Sequence, residues 1–301
     1  MVCHYPLDGW RSAKPNPKTG KHGIVFRLQD AETDKPVSVP CGQCSGCRLE
    51  RSRQWAIRCM HEASLYMDNC FITLTYNDEH LPAGKTLVKA DFQKFMKRLR
   101  KQFGKGIRYF HCGEYGDVNG RPHYHACIFN FDFPDRRLYK LNNGFRIDTS
   151  EILDQLWSDD RGIIGLSTVG DVTFQSAAYV ARYVMKKITG DKAAEHYGNR
   201  LPEYCTMSRR PGIGRVWYDK FKEDVYPSDG VVVNGKEVRP PRFYDNSFEI
   251  DSPEEFARIR AVRKRRSKAR RWDQTSGRLR VREVCLAARL SRLKRETEFD
   301  E

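Results

Sequence analysis

Two histidines with one residue between them, His123 and His125, are placed to do metal chemistry; they stand in the stretch Gly120-Arg-Pro-His-Tyr-His-Ala-Cys-Ile-Phe129. If residues 124–131 run as a strand, alternation puts both imidazoles on one face and Tyr124 on the other, so the pair can share one divalent ion. A His-x-His pair can equally be two unrelated surface or half-buried side chains. The context favours the site: Pro122 and the turn signal Asp117-Val-Asn-Gly120 give a tight entry, and Ile107 to Cys112 reads as the antiparallel partner across a hairpin. Glu114, near the mouth of that hairpin, can supply an oxygen ligand.

A second group is Gln175-Ser-Ala-Ala-Tyr179-Val-Ala-Arg-Tyr183-Val-Met-Lys186-Lys187. The spacing predicts a helix with Tyr179, Tyr183 and Lys186 along one face and Val180, Ala181 and Val184 packing the opposite side. Such a tyrosine pair is often a packing stripe. A phenol has an unperturbed pKa near 10, yet it can attack phosphorus if its proton is lost and a metal polarises the phosphate. An ion held by two histidines and a carboxylate, opposite a tyrosine helix, would be such an arrangement.

A third group is Cys41-Gly-Gln-Cys44-Ser-Gly-Cys47, to which Cys3 could add a fourth sulfur. Glycines beside cysteines let the chain turn tightly enough for several thiolates to reach one ion, as structural Zn2+ requires. The alternatives are reduced thiols in a turn or an iron-sulfur cluster, although Cys59 is too distant for ferredoxin spacing.

Helices and hairpin-linked strands must position these groups. Apolar residues at helical spacing predict a helix from Arg48 to Met67, and Cys70-Phe-Ile-Thr-Leu-Thr-Tyr76 predicts a strand. A helix is expected over Lys89 to Phe103 with Phe92, Phe95, Met96 and Leu99 as its buried stripe. A capped helix is expected over Ser150 to Trp157 and a strand over Ile163 to Val169. Residues 1–40, rich in Pro, Lys and Gly, read as extended chain and turns apart from a short apolar patch at Ile24-Val-Phe26. The pattern predicts an α+β fold, with helices packed on a mainly antiparallel sheet.

Ten cysteines scattered through a chain of 301 residues fit reduced thiols or metal ligands better than a disulfide framework. No signal peptide is recognisable, and no apolar run approaches the roughly 20 residues of a membrane span, so a soluble intracellular protein is expected. The net charge of +15 is concentrated: residues 258–295 hold 16 Lys and Arg against Asp273 and Glu283. That run reads as a basic arm able to contact phosphates.

In order, Phe71-Ile-Thr-Leu-Thr-Tyr76, then Gly113-Glu-Tyr-Gly116 with Arg121-Pro-His-Tyr-His125, then Tyr179-Val-Ala-Arg-Tyr183-Val-Met-Lys-Lys187 resemble the three motifs of HUH-superfamily rolling-circle replication initiators. The likeness is nearest to those of the Microviridae, of the gokushovirus kind, and spans roughly residues 1–220. The early Met-x-Cys with the later Cys-x-x-Cys-x-x-Cys is also similar to this phage subgroup. The resemblance implies an HUH endonuclease fold, ferredoxin- or RRM-like, in three parts: an N-terminal segment (1–48) with the Cys-rich zinc site, a catalytic domain (49–225) and a basic C-terminal arm (226–301). It implies a catalytic Mg2+ or Mn2+ on His123, His125 and a third ligand. Motif position carries that third ligand over to Glu114, with His111 and Asp117 competing.

By the same resemblance, Tyr179 or Tyr183 would nick one DNA strand at the viral origin. A 5′-phosphotyrosine link would form, leaving a 3′ hydroxyl for synthesis and later rejoining, and Lys186 or Lys187 could neutralise phosphate charge. The implied partners are single-stranded and origin DNA and, because no nucleotide-binding P-loop is present, a host helicase and DNA polymerase in the bacterial cytoplasm, with no membrane. Two other readings stay open: a non-catalytic single-stranded nucleic-acid-binding module whose aromatics stack on bases, and a Zn-dependent hydrolase.

Overall fold

The structure, a computed structural model, describes residues 3–292 except 18, 19, 21, 117, 118, 143 and 187–191, and only the backbone of 183–186 and 192. The chain forms two units, one from residues 1–51 and 261–294, the other from 52–260. The boundaries therefore fall inside two helices rather than at 48 and 225.

The first unit begins with strands β1 (Leu7–Pro15), β2 (His22–Val25) and β3 (Val37–Val39), which pair antiparallel in the order β2-β1-β3. Sequence alone predicts only extended chain and turns here. Most side chains on these strands are exposed or half-buried, so the alternation that marks a half-buried strand is missing.

Helix α1 (Ser45–Ala63) starts three residues earlier than its apolar spacing predicts. In the second unit its residues Ala56, Cys59 and Ala63 face the main sheet, and Ile57 faces away from it. Its fully buried Glu62 accepts from the Arg108 guanidinium and from the Gly214 amide, the latter at 2.6 Å, which satisfies a carboxylate that burial would otherwise penalise. Arg58 lies between the rings of Trp55 and Phe243 and donates twice to the Ile213 carbonyl.

Strand β4 (Asn69–Leu74) follows, then helix α2 (Lys89–Phe103), whose Phe92, Phe95, Met96 and Leu99 are all buried as the stripe predicts. Gly104, at a positive φ of 110°, ends that helix. The hairpin is β5 (Arg108–Tyr115) and β6 (Pro122–Phe129). After it come β7 (Arg137–Asn142), β8 (Phe145–Thr149) and α3 (Glu151–Leu156), where Ser150 caps by accepting from the Leu153 amide. Strand β9 (Ser167–Asp171), helices α4 (Phe174–Lys186) and α5 (Lys192–Tyr197), and β10 (Tyr204–Met207) complete this region. The strand expected over 163–169 thus sits a few residues later.

Seven strands form one sheet in the order β10-β5-β6-β4-β9-β8-β7, antiparallel throughout. It is an α+β sandwich, because strand alternation divides the sheet residues between two cores. Ile72, Leu74, Tyr124, Ala126 and Ile128 pack under α2 and α3. Phe71, Phe110, Cys112, Cys127 and Phe129 pack under α1 and α4.

Residues 215–256 are folded body, not arm. Helices α6 (Arg215–Ser228), α7 (Arg242–Asp251) and the start of α8 (Pro253–Ala269) bury Tyr218, Val225, Tyr226, Tyr244, Phe248 and Phe256 around Ile57. Those aromatics recur at helical spacing, a signal masked in the sequence by the charge around them. The last helix, α9 (Ser276–Arg292), belongs to the first unit, where its Glu283 accepts from the Tyr5 hydroxyl. Among the described residues, no helix is long and apolar enough to cross a membrane.

Candidate active site

The β5-β6 hairpin builds the site by register. Glu114 stands directly opposite His123 and Cys112 opposite His125, so the two histidines and the carboxylate share the face that looks toward α1 and α4. The turn is closed by bonds from the Gly116 amide to the Arg121 carbonyl and from the Gly120 amide to the Gly116 carbonyl. Arg121 fastens the hairpin to the end of β4 by donating to the Tyr76 carbonyl and to Asp78.

One ligand atom from each of Glu114, His123 and His125 lies within 4.8 Å of the others. His123 Nε2 is 3.0 Å and His125 Nε2 2.8 Å from Glu114 Oε1. The far nitrogens explain the aim of the rings. His123 Nδ1 is 3.1 Å from the Arg121 carbonyl, which can only accept, so Nδ1 carries a proton and the Nε2 lone pair of the neutral ring points at Glu114. His125 Nδ1 is 2.9 Å from Thr73 Oγ1 on β4. Imidazoles held by their outer nitrogens, with inner nitrogens converging on a carboxylate, are how a protein presents histidine to a metal.

Charge supports the same fit. A lone pair and a carboxylate oxygen 2.8–3.0 Å apart repel unless a cation or a proton lies between them. Glu114 is buried at 1 % exposure, and its Oε2 has no hydrogen-bond partner among the described residues. Burial pushes the Glu114 carboxyl up, but the bonds with His123 and His125 outweigh it and hold the group below its ordinary value. It is a carboxylate at neutral pH. The donor set of two imidazole nitrogens and one carboxylate oxygen suits Mn2+ or Mg2+ with the remaining positions open.

Helix α4 brings in the phenol. A reciprocal cap fixes its start: Ser176 Oγ accepts from the Thr173 amide at 2.8 Å, and Thr173 Oγ1 accepts from the Ser176 amide at 3.1 Å. Ser52 of α1 holds the next turn by donating to the Ala178 carbonyl. Small buried residues, Ala177 and Ala181 with Val180, let the helix lie close on the sheet. Tyr179 is buried with them rather than on an opposite face as predicted; its ring stands edge-on to His125 at 5.0 Å and its hydroxyl donates to Glu114 Oε1 at 3.3 Å. A cleft beside it is lined by Phe71, Phe145, Arg146 and Gln175.

The structure thus brings His123, His125, Glu114 and Tyr179 together. His111 is placed elsewhere: alternation turns it to the α2 side, where it stacks on Phe92 at 3.5 Å and its Nδ1 meets Thr206 Oγ1. Asp117 and Lys187 lie outside the described residues, as do the side chains of Tyr183 and Lys186. Sequence reading missed Thr73 and Arg182. Thr73 was findable, because it shares strand parity with Phe71 in the first motif; Arg182, whose guanidinium carbon is 5.4 Å from the Tyr179 ring centre, gives no signal among so many arginines.

The second group of donors also assembles. The sulfurs of Cys3, Cys41, Cys44 and Cys47 lie within 4.8 Å of one another in the first unit.

Residues 69–190 match the family model for the phage replication-associated protein ORF2. The chain is 37% identical over 241 residues to replication-associated protein VP4 of Bdellovibrio phage phiMH2K, covering 77% of this chain and 74% of that protein. It is 35% identical over 277 residues to replication-associated protein ORF2 of Spiroplasma virus 4, covering 85% and 83%. With replication-associated protein ORF4 of Chlamydia phage 1 it shares 30% over 217 residues, 68% of this chain and 52% of that one. No solved structure matches the chain.

Proposed function

We propose, because this chain belongs to the family of Microviridae replication-associated proteins, that its part in phage DNA replication is to cut and rejoin one DNA strand at the origin. The observation that carries this reading is the Tyr179 hydroxyl, 3.3 Å from the carboxylate of a His-His-Glu cluster. His123, His125 and Glu114 would hold Mg2+ or Mn2+, which when bound supplies positive charge against the phosphate oxygens.

The protein's own groups do the rest. Glu114 Oε1 engages the phenol proton, so the lone pairs of Tyr179 Oη remain for phosphorus. Attack forms the Tyr-O–P bond and breaks the P–O3′ bond. The 5′ phosphate stays on the protein, and the 3′ oxygen leaves as a hydroxyl once protonated. The ester conserves the energy of the phosphodiester, so the reverse attack by a 3′ hydroxyl reseals the strand. Tyr183, one helical turn along α4, serves as the second nucleophile, and Lys186 and Lys187 offset phosphate charge. Unwinding and synthesis fall to a host helicase and polymerase.

The test is to incubate the protein with labelled single-stranded origin fragments and Mn2+ or Mg2+, then denature. A covalent protein–DNA adduct is expected from the wild type and from each single variant Tyr179→Phe and Tyr183→Phe, and none from the double variant. An adduct from the double variant would place the nucleophile elsewhere. Binding without any adduct would leave a nucleic-acid-binding module.

A further inference from the structure

The four cysteines of the first unit are separate from the chemistry above, and their geometry is specific. Cys3 Sγ is 3.5 Å from Cys41 Sγ and 3.9 Å from Cys44 Sγ. Four sulfurs at the corners of a tetrahedron, each about 2.3 Å from a central ion, stand about 3.8 Å apart. Backbone amides point at three of these sulfurs: Cys41 N to Cys3 Sγ at 3.2 Å, Cys44 N to Cys41 Sγ at 3.3 Å and His4 N to Cys44 Sγ at 3.3 Å. Such donors stabilise thiolates rather than thiols. Gly42, at a φ of 76°, makes the turn that lets Cys41 and Cys44 face the same point.

The cluster is also joined to the basic C-terminal helix. His4 follows Cys3, is 7% exposed, and places its Nδ1 3.4 Å from Ser45 Oγ and 3.8 Å from the Glu283 carboxylate on α9. Tyr5, next in sequence, donates to the same carboxylate. Leu279, one turn earlier on α9, is buried.

We propose that Cys3, Cys41, Cys44 and Cys47 bind one structural Zn2+, and that this ion, by fixing His4 and Tyr5, holds α9 in the first unit. On binding, the four thiols release their protons to solvent and leave a closed four-sulfur centre with no position for substrate. A unit with only short exposed strands has little apolar core, so metal ligation supplies what burial does not.

Full-length protein should contain one zinc per chain that survives in the His123→Ala/His125→Ala double variant and is lost in Cys44→Ser. Replacing the metal with Co2+ in wild-type protein should give the visible bands and thiolate charge-transfer absorption of a tetrahedral four-sulfur centre, a readout independent of how the variants fold. Stripping the zinc with a mercurial should remove the protection of α9 from trypsin, which finds several arginines there. Iron with bleachable visible colour, or four freely titrating thiols with no zinc, would overturn the assignment. Unchanged tryptic protection after zinc release would overturn the link to α9.

Discussion

Each imidazole at the site is aimed by the bond on its outer nitrogen, so the partners of those nitrogens govern metal affinity without touching metal. Thr73 is the side chain among them, 2.9 Å from His125 Nδ1. Thr73→Val keeps the shape of the residue in the strand and removes only the hydroxyl. It should weaken Mn2+ binding roughly 10–100-fold while leaving the thermal transition little changed. Calorimetric titration with Mn2+ checks this; equal affinity in the two proteins would mean that His125 is oriented by packing against Phe71 and Tyr179 alone. At this scale much was legible: strand parity gave the two histidines, and their pairing with Glu114 followed from the hairpin. The exclusion of His111 was equally implicit in that parity, since Glu114 and His111 are three apart on one strand and must face opposite sides. The placement of Tyr179 inside the core was not legible, because helical spacing gives a face but not which face is buried.

Among the elements, α1 is the member shared by two cores, and its His61 makes that junction sensitive to acid. His61 stacks on Trp217 at 3.5 Å, and its Nδ1 is 2.9 Å from the Tyr244 hydroxyl. Burial lowers its pKa from 6.5 to about 4. The folded chain therefore keeps His61 neutral down to about pH 4, whereas the unfolded chain protonates it near 6.5. Unfolding takes up a proton in that window, so stability is full above it and declines as pH falls through it, by up to about 3 kcal/mol. Denaturant titrations at pH 7 and pH 4.5 should show a smaller acid loss for His61→Phe than for wild type; parallel losses would assign the acid sensitivity to other groups. The helices α1, α2 and α4 and the central strands were readable because each buries a periodic stripe. Strands β7, β8 and β10 were not, as they lie toward the sheet edges, where exposed side chains such as Leu138, Tyr139 and Leu141 break the alternation.

Over the whole molecule, positive charge is the property most relevant to a DNA partner. Lys264, Arg265, Arg266 and Lys268 are all exposed on α8. Replacing the four with Gln should reduce the slope of log affinity against log salt by up to about 3 for single-stranded DNA, while cleavage of a short saturating oligonucleotide stays nearly unchanged. An unaltered slope would assign these side chains to another partner. The expected arm was only partly legible because charge counting locates basic residues but not the packing between them. Buried Phe256, Ile259 packed beside it and buried Leu279 show that the segment carries its own apolar contacts.

In the central strand β6, the odd residues His123, His125, Cys127 and Phe129 serve one core, and the even residues Tyr124, Ala126 and Ile128 serve the other. A slip of one position would drive both imidazoles among the aromatics of α2 and turn Tyr124 toward α4. No half-correct arrangement of this strand leaves the three donors converging. The sheet therefore works as a parity check: a molecule that has misassembled is also one that cannot assemble its metal-ligating cluster, and the capacity for chemistry appears only when the pairing of both neighbours is right.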